Sequence, residues 1–184
     1  PRSVAKDVLK RKRNNTPPTR WERYVTITSE LAYFFGWYVA EGNVDDGNVC
    51  LTMHRKELNY ATQLSEIIMR TFSLPCKIQI GGPNGNSLRF KFHHPILALF
   101  LPIVFGSNCY TKMIPSLYWR NNKKVAEQYL RGLFLGDGCN MMSASHRSQD
   151  CSFHTTSISL AVTFHDILAA LDICSSIGRS KTYG

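Results

Sequence analysis

Two short segments of the chain, Phe34–Gly42 (FFGWYVAEG) and Leu130–Gly138 (LRGLFLGDG), repeat one pattern. Each is an apolar helical run with a glycine in its middle that stops in a small residue, a carboxylate and a glycine. Glu41 and Asp137 therefore occupy equivalent places, 96 positions apart. A mid-helix glycine costs an isolated helix up to about 1 kcal/mol, so a packing purpose is the economical reason for keeping it. Gly36 and Gly132, with Ala40 and Gly136 one turn later, give each helix a strip of small residues along which two backbones can approach closely. The pattern thus predicts two similar halves that meet through these helices. It also predicts that Glu41 and Asp137 end as neighbours.

A chain of 184 residues with 43% apolar content can bury one substantial core, or the cores of two fused half-domains of about 90 residues each. Lys and Arg number 22 against 13 acids, a net charge of +9 and a pI near 9.4. That balance suits a polyanionic partner, because neutralising phosphates releases counterions, although solubilising surface charge is the other reading. The six cysteines, at 50, 76, 109, 139, 151 and 174, form no CxxC. They read as buried, reduced thiols. The longest apolar stretch, Pro95–Phe105, is too short to cross a bilayer and carries a second proline; it reads as a buried helix. With no signal peptide visible, an intracellular protein is expected, and a chain starting at Pro1 reads as an excised or processed fragment.

Residues 1–27 form a basic lead-in and linker, with Lys6, Lys10, Arg11, Lys12, Arg13, Arg20 and Arg23 around Pro17-Pro18. The first half-domain spans 28–115. Its first helix opens at Thr28 or Ser29 and ends at Glu41, with apolar residues spread too widely for one narrow stripe, which implies burial on most sides. An Asp45–Asn48 turn leads into a strand at Val49–Met53, and Glu57–Phe72 reads as an amphipathic helix. Strands at Cys76–Ile80 and Ser87–His93 form a hairpin across the Gly81–Asn86 turn. In that hairpin Lys77, Gln79, Arg89, Lys91 and His93 alternate with apolar residues, and the outward set contains no acid. Such a face suits nucleic acid, while any half-exposed strand also turns polar residues outward.

The second half-domain spans 116–184 and starts the same order again. A helix is expected over Lys123–Asp137, strands over Asn140–Ala144 and Ser152–Thr156, and a helix over Ser159–Ile177 with Gly178 as its cap. The first half runs about 30 residues beyond the comparable point. The second half is therefore expected to lack its second hairpin and last helix, and the native protein to continue past Gly184.

Phe34–Gly42 and Leu130–Gly138 together resemble the two signature helices of a LAGLIDADG homing endonuclease, in the form in which one chain carries both copies. The resemblance covers residues 28–184. It implies an α+β fold of two pseudo-symmetric αββαββα half-domains, the second incomplete, packed through their signature helices with antiparallel, saddle-shaped sheets over DNA. It implies site-specific, metal-dependent cleavage of double-stranded DNA at a long asymmetric target by a monomer with internal pseudo-twofold symmetry, with Mg²⁺ or Mn²⁺ as cofactor and no membrane partner.

The resemblance makes Glu41 and Asp137 the catalytic, metal-binding acids, joined by the backbone carbonyls of Ala40 and Gly136. Two carboxylates beside each other at helix C-termini resist ionisation, and a hard cation with oxygen ligands removes that conflict. Lys112-Met113-Ile114-Pro115 resembles the Lys-x-Ile-Pro segment of the intein-borne branch, which makes Lys112 a candidate for stabilising charge at the scissile phosphate. Candidate DNA contacts are Arg55, Lys77, Gln79, Arg89, Lys91 and His93, with Arg147 and His154 in the second half. The lead-in and the Lys-x-Ile-Pro segment resemble an endonuclease embedded in an intein, while intron homing and a free-standing enzyme are the other settings. A scaffold that binds nucleic acid without cutting it, as an RNA-splicing maturase or a transcription regulator, is the rival reading.

Overall fold

The computed structural model describes residues 24–82, 84–115, 122–142 and 149–179. The basic lead-in up to residue 23 lies outside them, as do Arg147 and residues 180–184. Among the described residues, the order is α1 (Ser29–Glu41), β1 (Gly42–Asp45), β2 (Asn48–His54), a 3₁₀ turn (Arg55–Glu57), α2 (Leu58–Phe72), β3 (Lys77–Gly81), β4 (Ser87–His93) and α3 (Pro95–Phe105). The second half adds α4 (Lys123–Asp137), β5 (Gly138–Met142), β6 (Gln149–Phe153) and α5 (Ile158–Ala170). The architecture is α+β and the sheets are antiparallel, with strand order β1-β2-β4-β3 in the first and β5-β6 in the second.

Helix α1 is the centre of the molecule. Thr28 accepts a hydrogen bond from Leu31 N at 3.1 Å and so starts it. Every residue from Leu31 to Val39 is buried, as the spread of its apolar residues predicts. Phe34 meets Phe92 of β4 with ring centroids 5.8 Å apart. Phe35 meets Phe105 of α3 at 4.9 Å, and Phe105 stacks on Tyr129 of α4 at 6.2 Å, so one aromatic chain crosses from the first half into the second. The inner faces of β2 and β4 add Val49, Leu51, Met53, Leu88, Phe90 and Phe92.

The two glycine strips do what their sequence implies. A Cβ on Gly36 would collide with the Tyr129 carbonyl oxygen and lie 2.6 Å from Leu133 N. One on Gly132 would collide with the Tyr33 carbonyl oxygen. Further along, a Cβ on Gly136 would meet Ala40 and approach Glu41 Cγ to 3.4 Å. Positions 33–36 thus face 129–133, and 40–41 face 136, so α1 and α4 run side by side in the same direction. Both C-termini, with their carboxylates, lie at one end.

Several boundaries differ from expectation. Strand β1 is the first of the two strands that the αββαββα order implies, at residues where the sequence reading places no strand: Gly42 and Gly138 end their helices in extended backbone, at φ −88° and −81°, so the chain passes from helix into strand without a left-handed residue. These glycines serve close approach instead, since a Cβ would press on Tyr38 and on Phe134 respectively. In the second half the strands lie two to three residues earlier than Asn140–Ala144 and Ser152–Thr156. The last helix stops at Ala170, not Ile177. Asp172 adopts φ +62°, with Asp172 N bonded to Ala169 O and Ile173 N to Leu168 O. Asp172 takes the left-handed place that glycine usually fills in this helix-ending motif, and Gly178 is no cap.

Helix α3 is buried only through Leu97, Ala98, Leu101 and Phe105; Ile96, Leu99, Phe100 and Ile103 face outward, so it is not buried all round. The cysteines also depart from expectation. Cys50 is buried and Cys76 half-buried, while Cys109, Cys139, Cys151 and Cys174 are exposed. No helix among the described residues is long and apolar enough to cross a membrane.

Candidate metal and nucleic-acid site

Parallel packing of α1 and α4 brings Glu41 and Asp137 together at the end of the helix pair. Burial pushes the Glu41 carboxyl up to about 7, and the neighbouring charges of Asp137 and then Glu57 push the same way. Asp137, more exposed, is raised by partial burial. The opposing influence on both is Lys112.

Lys112 reaches this place from the connector after α3. Its residue is 6% exposed, and the ammonium donates to the carbonyls of Tyr38 at 2.7 Å and Gly42 at 2.9 Å. It also lies 4.2 Å from the centre of the Tyr38 ring. A cation there satisfies carbonyls at the C-terminal, electronegative end of α1. Burial lowers its pKa to about 8, and Asp137 and Glu41 counteract that fall, so Lys112 remains mostly charged at neutral pH.

The donors at the helix ends are hard oxygens. Among the described residues no group of three or more His, Cys, Asp or Glu gathers as a metal cage. A pair of carboxylates, one of them forced toward protonation, fits a small hard cation that completes its shell with backbone carbonyls, water and phosphate oxygens. Ala40 and Gly136 meet at this end of the pair, which puts their backbones beside the acids.

The first sheet extends from the same end, because Glu41 directly precedes β1. Its outward face follows the strand register. Asn43, Cys50, Lys91 and Lys77 form one row across the strands, Thr52, Arg89 and Gln79 the next, and Asp45, Asn48 and His93 a third. The parity expected for Lys77, Gln79, Arg89, Lys91 and His93 is therefore the parity observed, with all but half-buried Lys91 exposed. Two corrections accompany it. The whole face includes an acid, since Asp45 of β1 lies 3.9 Å from Arg89. Arg55 belongs to no strand; it opens the 3₁₀ turn and its backbone N–H bonds Asn86 O at 2.8 Å. His154 is exposed one residue past β6.

Adjacent His93 and His94 part as strand parity requires. His93 is exposed, whereas buried His94 caps α3, its Nδ1 accepting from Leu97 N at 3.0 Å. Burial lowers the His94 pKa to about 4, with the neighbouring His93 adding to the fall.

Three residues around the site are not conspicuous in the sequence. Glu57 acts on Glu41 and also accepts from His54 N at 2.6 Å; the H-R-K-E run carries that capping signal. Asp45 looks in the sequence like a turn residue alone. Ser157 caps α5 and donates to the Lys112 carbonyl at 2.6 Å. Its local signal, a serine before an apolar run, lies two residues ahead of the expected helix start.

No family model matches the chain. In sequence it is 25% identical over 162 residues to the uncharacterized protein MJ1054 of Methanocaldococcus jannaschii, a likeness that covers 84% of this chain and only 18% of that protein's length. Among solved structures, the N-terminal LAGLIDADG domain of DUF199/WhiA matches with a TM-score of 0.58 at 14% identity, over 91% of this chain and 75% of that one. The DNA-bound homing endonuclease I-WcaI matches at 0.46 with 13% identity, over 89% of this chain and 75% of that one. I-DmoI in complex with DNA and Mn matches at 0.42 with 14% identity, over 62% and 64%. Two glycine-strip helices packed in parallel, a four-stranded antiparallel sheet behind the first, and the likeness to the WhiA domain give this chain the LAGLIDADG fold.

Proposed function

We propose that this chain is a site-specific, divalent-metal-dependent endonuclease acting on double-stranded DNA. The observation that carries the reading is the meeting of Glu41 and Asp137 at one end of the α1/α4 pair, where burial and then the charge of Asp137 lift Glu41 to about 7. A chain gains nothing in stability from this conflict. A cation site explains it.

In this reading Glu41 and Asp137, with the carbonyls of Ala40 and Gly136, hold Mg²⁺ or Mn²⁺, which supplies activation of water and stabilisation of the leaving oxygen. Lys112, charged and fixed against the Tyr38 and Gly42 carbonyls, contributes positive charge next to the scissile phosphate. The outward rows of the first sheet lie along the duplex. Arg89 and Gln79 have the side chains that read guanine and adenine edges, while Lys77 and Lys91 suit phosphates. His93, Arg55, Arg147 and His154 extend the contact. One acid from each half supports a monomer that addresses both strands of a long asymmetric target. The Lys-x-Ile-Pro segment supports an intein-embedded setting over an intron-encoded or free-standing one.

One observation favours the rival, a nucleic-acid-binding scaffold that does not cut. Both hydrogen bonds of the Lys112 ammonium end on backbone carbonyls, a role that structure alone explains. The experiment is incubation with a plasmid library carrying randomised inserts in Mg²⁺, beside Glu41→Gln and Asp137→Asn variants. Cleavage by the wild type that both variants lose, with duplex binding retained, is the expected result. Salt-sensitive binding without cleavage establishes the rival, and cleavage that survives either substitution overturns the assignment of the acids. Mg²⁺ is also expected to raise the melting temperature of the wild type more than that of either variant.

A further inference from the structure

We propose that Ser157, in the second half-domain, is a positioning residue for Lys112: from the start of α5 it fixes the backbone that carries the ammonium into the space beside both carboxylates. The inference rests on the endonuclease reading for its consequence in catalysis, and on hydrogen-bond geometry for the positioning itself.

The ammonium of Lys112 is anchored by the first half, through Tyr38 and Gly42. Its backbone is held from both halves, the carbonyl by the second. The Ser157 hydroxyl is wholly buried and donates to the Lys112 carbonyl at 2.6 Å, while the same oxygen accepts from Leu160 N at 3.2 Å as the cap of α5. One residue earlier, Thr156 Oγ1 donates to the Cys109 carbonyl at 3.0 Å. The start of α5 therefore grips the connector at two points. Within the connector, Lys112 N bonds Asn108 O at 3.0 Å and Met113 N bonds Phe105 O at 2.9 Å. Gly106, at φ +86°, lets the chain pass Thr111 and Lys112 where any Cβ would strike their backbone.

A lysine side chain has four rotatable bonds and reaches its partners only if its Cα is held. Within the first half the connector is tied to the end of α3 by Met113 N to Phe105 O and closed on itself by a turn in which Asn108 O accepts from Thr111 N and Lys112 N; it has no strand partner among the described residues. Ser157 adds the hold on the Lys112 carbonyl itself, and a buried hydroxyl that both donates and accepts can do so while capping its helix. The outcome is that the charge at the carboxylate pair depends on contact between the halves. A second half that is not docked leaves the Lys112 and Cys109 carbonyls without the donors that α5 brings.

The test separates capping from positioning. Ser157→Gly removes the donor while glycine remains a tolerated cap residue, Ser157→Thr restores it, and Thr28→Gly removes an equivalent cap from α1 without touching Lys112. Two readouts are taken on each folded variant. One is the slowly exchanging Lys112 ammonium signal in a spectrum of ¹⁵N-lysine-labelled protein. The other is kcat and KM for cleavage of the plasmid-library target in Mg²⁺. Ser157→Gly is expected to lose the protected ammonium signal and to lower kcat about tenfold or more with KM held, while Ser157→Thr keeps both and Thr28→Gly keeps the signal. An unchanged ammonium signal in Ser157→Gly, or a fall in kcat no larger than that of Thr28→Gly, overturns the proposal. If the wild type does not cleave, the ammonium signal still decides the positioning, and only the endonuclease reading fails.

Discussion

The two signature helices carry one sequence pattern but live in different surroundings. Nine consecutive residues of α1 are buried, whereas α4 buries Val125, Ala126, Tyr129, Leu130, Gly132 and Leu133 and leaves Phe134 and Leu135 partly open. The difference comes from the layers that each helix is given. After α1 come four strands and two helices that close over it. After α4 the described residues form two strands and α5. Burial of an apolar residue is a property of the layers around its helix, and among the described residues the same motif is packed on more sides in the first half than in the second.

The shared contact between these helices is the feature to break first. Gly36→Val or Gly132→Val drives a side chain into immovable backbone of the partner helix and is expected to cost about 3 kcal/mol or more. Gly178→Val, where nothing lies within 4 Å, is expected to stay within about 0.5 kcal/mol. Urea denaturation of the three variants checks this, and equal costs at Gly36 and Gly178 would remove the backbone-contact argument.

The unequal flanks are sharpened by a matched pair of aromatic truncations. Phe34→Ala empties a fully buried site against Phe92 and is expected to cost about 3–5 kcal/mol, with Phe134→Ala, half-buried, costing about half of that. Equal losses measured by denaturant titration would mean that the second half is sealed as well as the first.

His94 gives the first half a pH dependence of its own. Unfolded, its imidazole takes up a proton near its ordinary 6.5; folded, burial holds it neutral down to about 4. Stability is therefore lost as pH falls from about 6.5 to about 4, by roughly 2–3 kcal/mol in all. Glu41 acts in the opposite sense, since its raised pKa favours folding as pH falls from 7 toward 4.5. The difference between wild type and His94→Asn, which caps without titrating in this range, isolates the histidine. A stability gap that does not change between pH 7 and pH 4.5 would contradict the buried, neutral cap. The smallest effect is expected at the exposed Arg70–Glu30 pair, 3.1 Å apart: Glu30→Ala should change stability by no more than about 0.5 kcal/mol.

The sequence by itself determined the helices around Pro95–Phe105 and Lys123–Asp137, the two-faced hairpin, and the meeting of Glu41 with Asp137. All of these arise from short-range periodicity or from a steric demand that glycine writes directly into the chain. The α5 boundary escaped it because Asp172 in a left-handed conformation leaves no glycine to read, and apolar residues continue past the stop. Tertiary structure alone decided where Lys112 would go and what would hold it, that Asp45 would cross onto the basic face, and that one side of α3 would remain exposed. Each of these depends on residues brought together from distant parts of the chain, such as Ser157 and Lys112, 45 positions apart. Local pattern carries no record of such a partner, because the energy that fixes it appears only when both halves are packed.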